Sequence, residues 1–459
     1  PWSDLVRAST AAPAAGSIEL LIREDFKVYD GRFSNLGWLQ ELPDPVTKIT
    51  WDNPLNIGVK TAADLGVKNG QLVTLDADGA SFEAAVMIVP GMAPGQGSIG
   101  LGYGRRNIGK VANGVGFDSY ALRSTAPLVV AKVTPQSGTY PFATTQDHFA
   151  IDLVGLKERN KRVGELVREM SLVEFEANPA KVNELGPNVA PFSLWREPAV
   201  DIKHKWGMAI DLTLCTGCSA CITACQSENN IPVVGKTLVR KGREMHWIRI
   251  DRYFRGDVEQ PQVVQQPVTC HHCENAPCEQ VCPVAATVHS EEGLNQMVYN
   301  RCIGTRYCSN NCPYKVRKFN YFAYNRKIEP IEKMRMNPEV TVRSRGVMEK
   351  CTFCVQRIQG VKIRARNENS RAIVDGEITP ACAQACPTHA IVFGDLNDPQ
   401  SRVSTLFHDS RSYAMLNEIN TQPRLNYLAR VRNTNAQLAG VAAVTPAEHH
   451  DEPEGERQG

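Results

Sequence analysis

The sequence predicts an α+β protein in two unequal parts, a β-rich front and a cysteine-rich back. Three observations carry this. Short β-branched runs broken by Gly and Pro fill residues 18–150. Helix-spaced apolar residues with charges between them follow at 152–185. All 15 cysteines lie between Cys215 and Cys386. A length of 459 residues leaves room for roughly two to four domains. The net charge of +2 makes no case for nucleic acid. No run approaches the roughly 18 apolar residues of a membrane span, so work at a membrane would need a partner to hold the chain there. Pro1 is followed by no charged-then-apolar leader, so the expectation is that a targeting segment has been removed or that the chain is a piece of a longer one.

Residues 1–150 form the β domain. Within it "SFEAAVMIVPG" and "LVVAKV" read as strands, and "VKNGQLVTLDADGASF" reads as a hairpin with turns at Asn69-Gly70 and Asp78-Gly79. Gly95-Gln96-Gly97-Ser98-Ile99-Gly100 matches the dinucleotide fingerprint, but Gly102 and Gly104 follow and no helix pattern does. A loop joining strands is the better account. Residues 151–204 are a linker, read as an amphipathic connecting helix, and 205–395 are the cysteine domain. Residues 396–459 are an extension ending in "GVAAVTPAEHHDEPEGERQG", too poor in apolar residues to fold and expected to be a mobile tail. His449 and His450 in that tail are read as polar residues, not metal ligands.

The cysteines fall into four groups. They are Cys215, Cys218, Cys221 and Cys225; Cys270, Cys273, Cys278 and Cys282; Cys302, Cys308 and Cys312; and Cys351, Cys354, Cys382 and Cys386. In a ferredoxin loop, closely spaced thiolates wrap three corners of an iron–sulfur cube, and the next cysteine along serves another cluster. Crossing the groups by that rule assigns every thiolate. Cys215, Cys218 and Cys221 join Cys386; Cys225 joins Cys351, Cys354 and Cys382; Cys270, Cys273 and Cys278 join Cys312. Cys282, Cys302 and Cys308 remain without a fourth. Thr305 occupies the missing position in "RCIGTRYCSNNCP", and a hydroxyl does not ionise into a thiolate-like ligand at neutral pH. The expected inventory is three [4Fe–4S] clusters and one [3Fe–4S] cluster. A double ferredoxin-like fold, its two halves sharing clusters, goes with it.

Zinc is the competing account, because paired C-x2-C motifs also make tetrahedral sites. The tight C-x2-C-x2-C triplet and the recurrent Cys-Pro count against it, as an odd number of cysteines counts against a disulfide framework. Residues 301–371 carry seventeen Lys and Arg against five acidic residues, a fitting setting for anionic clusters or for an acidic partner. His271 and His272 are expected to pack or tune rather than ligate. Phe319, Tyr321, Phe322 and Tyr324 are expected to pack between the two halves.

The stretches "CHHCENAPCEQVCPVAA", "RCIGTRYCSNNCPYKVRKFNYF" and "LNEINTQPRLNYLARVRN" resemble the iron–sulfur subunit of bacterial alternative complex III, over about residues 205–433. Thr at position 305 is part of that pattern. The front agrees: "LPDPVTKITWDNPLNIGVKTAADLGVKNGQLVTL" and "PGMAPGQGSIGLGYGR" resemble the dinucleotide-binding domain of molybdopterin oxidoreductases, a partial double-ψ-barrel-like domain. The resemblance implies no molybdopterin, so Asp52 and Asn53 are expected to be turn residues holding Trp51 and Pro54. It implies a non-catalytic electron-transfer subunit, one that relays electrons from quinol, entering at the [3Fe–4S] cluster. It also implies an integral-membrane quinol-binding subunit and multihaem cytochrome c subunits as partners, at the periplasmic face. Two alternatives stand beside it: the electron-transfer subunit of a molybdenum enzyme such as polysulfide reductase, and a non-redox zinc scaffold.

Overall fold

The computed structural model describes residues 14–123, 128–146, 162–187, 203–256, 258–325 and 328–433. At the front, six strands close into a barrel, in the order Ser17–Arg23, Gln96–Gly100, Leu55–Ile57, Ala80–Ile88, Gln71–Ala77, Leu128–Thr139. The strand Ser17–Arg23 shows why: Ile18, Leu20 and Ile22 alternate with polar or half-exposed positions and point into one apolar core. Its neighbours add Leu55, Ile57, Val73, Leu75, Val86 and Ile99 to the same core.

The hairpin at Asp78-Gly79 is a two-residue turn closing the pair Ala77 and Ala80. Both turn residues have positive φ, 51° and 81°, as the turns that suit right-twisted strands require. The glycine-rich run is not the expected loop. Residues Gln96–Gly100 are a barrel strand, parallel to Ser17–Arg23 and antiparallel to Leu55–Ile57. A Cβ on Gly97 would lie 2.8 Å from the Ile18 side chain, so this glycine serves close packing of strands, not a phosphate.

The connecting region also differs from a single helix. Residues 162–166 are helical, Glu169–Ser171 is a strand paired with Arg430–Arg432, and Leu172–Ala177 and Lys181–Glu184 are separate short helices. The break has a local cause. Ser171 accepts the Glu174 N–H while the Glu174 carboxylate accepts the Ser171 N–H, a capping box that starts a new helix at Leu172. The rest of the expected helix, at 152–161, lies outside the described residues, as do the tail beyond 433 and the histidines in it.

The back half is built on a four-stranded sheet in the order Ile391–Asp395, Trp206–Asp211, Leu425–Leu428, Ser412–Tyr413. The stretch after 396 is therefore woven into the cysteine domain, with Leu425–Leu428 parallel to Trp206–Asp211. One apolar core contains strand residues such as Met208, Ile210 and Tyr427 together with most of the cysteines.

The two halves meet through buried polar contacts. The Asp52 carboxylate, fully buried, holds Lys236 Nζ at 2.7 Å and accepts the Tyr140 hydroxyl at 2.6 Å. Asn53 is saturated within the barrel, donating to the Gly100 and Phe117 carbonyls and accepting the Phe117 N–H. Glu41 is buried and accepts the backbone N–H groups of Val234 and Gly235 and the Trp51 indole N–H. Burial outweighs those donors and raises its carboxyl from 4.5 to about 7. The folded state thus keeps a proton that the unfolded chain releases. The stability this gives is complete below about pH 4.5 and is lost as pH rises to about 7, a change on the order of 3 kcal/mol. Glu41→Gln should flatten the fall in unfolding temperature between about pH 4.5 and 7. An unchanged slope in that variant would place the titrating group elsewhere.

Candidate metal centre

Each cysteine group sits on a loop whose backbone is bent round a centre. In the first, Gly217 and Ser219 have φ of 71° and 65°, and the helix Ala220–Glu228 begins immediately after. Cys221 and Cys225, four residues apart, share one face of that helix. The helix Tyr307–Asn310 carries Cys308 and follows a loop of the same shape, with Gly304 and Arg306 at φ 78° and 62°. Aligning the loops sets Thr305 opposite Cys218, with the backbone on either side of it unchanged. The loop is shaped to wrap a cluster although one of its residues cannot be a thiolate.

Across the chain the thiols gather in four cradles. Cys221 faces Cys215, Cys218 and Cys386. Cys225 faces Cys351, Cys354 and Cys382. Cys273 faces Cys270, Cys312 and Cys278, round a small cleft. Cys308 faces Cys302 and Cys282, round a small cleft that Thr305 also lines. Every cysteine remains free of disulfides. A zinc ion would hold sulfurs about 2.3 Å from a single point. Among the described residues no three His, Cys, Asp or Glu side chains converge as ligands of one ion would. Sulfurs gathered in sets of three and four, spread wider than the ligands of one ion, fit a cluster.

Electrostatics support the same fit. Burial first, then the neighbouring thiols of the same cradle, push the Cys225, Cys273 and Cys382 thiols far above their usual range. Burial likewise carries Cys278 and Cys351 up to about 12. Four thiolates this close and this buried repel one another strongly, and cationic iron is the counter-charge such a set requires. Cys282 is the exception. Burial raises it, but the N–H groups of Val284, Ala286 and Thr287 outweigh burial and bring it below the usual thiol range. Its sulfur accepts the Ala286 N–H at 3.2 Å.

Further donors surround the sulfurs. The Phe353 N–H reaches Cys351 Sγ at 3.4 Å and the Ala381 N–H reaches Cys354 Sγ at 3.5 Å. The amide of Asn229 approaches Cys225 Sγ at 3.6 Å and Cys354 Sγ at 3.9 Å, while Asn295 approaches Cys278 Sγ at 3.8 Å. Donors of this kind raise a cluster's potential. The cradles also differ in depth. All four cysteines of the second and third are buried, whereas Cys215, Cys218 and Cys386 of the first and Cys282 and Cys302 of the fourth are half-buried.

His271 and His272 are fully buried and stack on Tyr314 and Phe353, with centroids 3.7 and 3.9 Å apart. Burial drives His271 down to about 3 and His272 well down too, so both rings are neutral. The aromatic run departs from expectation. Phe319 and Tyr324 pack on the core, but Phe322 is 46% exposed and Tyr321 lies at the surface, with Arg243 and Arg306 over its ring. The spacing pattern did not single out Asn229, Asn295 or Arg317. The basic excess at 301–371 is the one signal that pointed near Arg317, and it cannot tell a buried cation from an exposed one.

Two family models, each described as a 4Fe-4S dicluster domain, match residues 209–286 and 262–327. The iron–sulfur cluster-binding subunit of menaquinone reductase from Nitratidesulfovibrio vulgaris is 42% identical over 234 residues, 50% of this chain and 91% of that protein. The putative dimethyl sulfoxide reductase iron–sulfur subunit of Halobacterium salinarum is 35% identical, over 49% of this chain and 79% of its own. The arsenate respiratory reductase iron–sulfur subunit of a Shewanella species is 32% identical, over 49% and 96%. Among the described residues no helix is long and apolar enough to cross a membrane. The loops, the cradles and these likenesses meet in one statement: the chain belongs to the family of 4Fe-4S dicluster electron-transfer subunits of quinol- and molybdoenzyme-type oxidoreductases.

Proposed function

We propose that this chain is the electron relay of a membrane quinol-oxidising complex of the alternative complex III type, carrying three [4Fe–4S] clusters and one [3Fe–4S] cluster. Cys215, Cys218, Cys221 and Cys386 hold one cubane; Cys225, Cys351, Cys354 and Cys382 the second; Cys270, Cys273, Cys278 and Cys312 the third. Cys282, Cys302 and Cys308 hold the three-iron cluster, with Thr305 at its open corner. Each cluster, when bound, supplies a one-electron carrier. The observation that carries the reading is the gradient of depth. The two end cradles reach towards the surface and the two middle ones are sealed from it, the arrangement of a wire with two contacts.

The order along the wire follows from neighbouring thiols. Cys221 lies beside Cys225, and Cys351 lies beside Cys270. A redox partner of the quinone class is favoured by the relative named as part of a menaquinone reductase, and the quinol form as donor by a relative from Archaeoglobus fulgidus named as part of a menaquinol oxidoreductase. The proposed partners are an integral-membrane quinol-binding subunit and multihaem cytochrome c subunits at the periplasmic face. Molybdopterin is not expected in the barrel, since Asp52 is engaged by Lys236 and Tyr140, and Asn53 by the barrel backbone. A second reading, the relay of a molybdenum reductase, is favoured by the relative named as part of a dimethyl sulfoxide reductase. Molybdenum in the purified complex would decide for it.

The test is Cys302→Ser in the assembled complex, with quinol oxidation measured beside iron content. Loss of quinol oxidation with the other three clusters retained is the expected result. A normal rate with the Cys302 cluster gone would remove electron entry from this site.

A further inference from the structure

Between the third and fourth cradles lies Arg317, 6% exposed. Its guanidinium donates to Thr287 Oγ1 at 2.7 Å and to Met297 Sδ at 3.4 Å, and both residues line the Cys282/Cys302/Cys308 cleft. On its other side Arg317 lines the Cys270/Cys273/Cys278/Cys312 cleft, and it approaches Asn295 Oδ1 at 3.5 Å. That same Asn295 turns its amide nitrogen to Cys278 Sγ. The guanidinium is thus the partition between two neighbouring cradles.

A buried cation needs an anion. Some of the other buried basic residues have a carboxylate, as Arg343 has Glu349, Lys318 has Glu244 and Arg424 has Glu274, while Lys350 is held by the Cys351 carbonyl. The charges acting most strongly on Arg317 are those of Cys278, Cys308, Cys270 and Cys312, two cradles at once. Guanidinium stays protonated throughout, so it offers a fixed charge with no proton to exchange.

We infer that Arg317 is a positioning residue for electron transfer, a fixed positive charge shared by the third and fourth clusters that raises both reduction potentials. The inference rests on the four-cluster reading above. Each cluster takes up one electron per step, supplied in the test by a titrating reductant, and the cation stabilises the added negative charge. A distant charge would act on all four clusters alike. Arg317 acts on the two it separates.

The test is an EPR-monitored redox titration of the intact complex carrying Arg317→Met, with Arg317→Lys beside it. In the Met variant the third and fourth clusters should both become harder to reduce. The expected shift is a tenfold or larger change in reduced-to-oxidised ratio at fixed potential, about 59 mV for one electron. The first cluster should not move. The Lys variant should recover most of the shift, which a merely structural role would not predict. Unmoved midpoints with all clusters loaded would overturn the inference, as would an equal shift in all four. Should Arg317→Met fail to load iron, Thr287→Val keeps the charge but removes its anchor beside the fourth cleft. That variant should shift the fourth cluster more than the third, and no shift there would equally overturn the inference. If the unsubstituted protein lacks a three-iron signal, the four-cluster inventory fails separately. The Arg317 effect would still be read on the third cluster in the reduced state.

Discussion

Thr305→Cys is expected to convert the fourth cluster from three irons to four. Low-temperature EPR of the unsubstituted, oxidised protein should show a sharp, nearly isotropic signal of about one spin per chain, because oxidised [4Fe–4S] clusters are silent and an oxidised [3Fe–4S] cluster is not. In the variant that signal should vanish and iron should rise by about one atom per chain. The structural warrant is the match between two loops. Gly304 and Arg306 repeat the positive φ values of Gly217 and Ser219, so a cysteine at 305 inherits the direction of Cys218. Arg317 and the basic surroundings favour the thiolate it would supply. Absence of the signal from the unsubstituted protein, with iron enough for four cubanes, would show that Thr305 or water completes the fourth corner.

Arg343→Leu should produce the largest loss of stability away from the cysteines. Arg343 and Glu349 form an ion pair at 2.8 Å with side chains 1% and 0% exposed. Glu349 also accepts the Trp247 indole N–H at 3.3 Å and the Asn320 amide at 2.9 Å, and Arg343 lies over the Trp247 ring. This network fixes the strand Met348–Glu349 that leads into Cys351. Removing the cation strands a buried carboxylate, a loss of about 3–5 kcal/mol. The unfolding temperature should fall by roughly 10 °C or more. Adding Glu349→Leu should recover part of the loss, limited by the unpaired Trp247 and Asn320 donors. A fall of under about 1 kcal/mol would mean that water reaches the pair and screens it.

Where the sequence was explicit, local chemistry sufficed. The turn Asp78-Gly79 is readable because only certain residues accept positive φ in succession. The capping box at Ser171 and Glu174 was equally local, yet the apolar periodicity around it masked the signal and suggested one long helix. Aromatic composition also misled at Phe319–Tyr324, where a run expected to pack between the two halves turns two rings to the surface beside Arg243 and Arg306. The run Gly95–Gly100 matched a loop fingerprint because spacing alone does not separate a phosphate-binding turn from a strand packed tightly on Ile18.

The thiolates were legible because their spacing is set by the object they wrap. A cubane's corners demand C-x2-C-x2-C on one loop and a distant fourth ligand, and the odd residue out, Thr305, stands where the repeat leaves it. The sequence by itself therefore pointed to the iron–sulfur chemistry and proposed a grouping of its candidate ligands. Only the tertiary structure decided which cradles are sealed and which approach the surface, and which of the many basic residues became the buried partition at Arg317. It also decided that Lys236 of one half occupies the Asp52 pocket of the other. Those outcomes depend on contacts between residues tens to hundreds of positions apart, whose energies come from burial and charge in a shared low-dielectric interior. No local pattern along the chain encodes them.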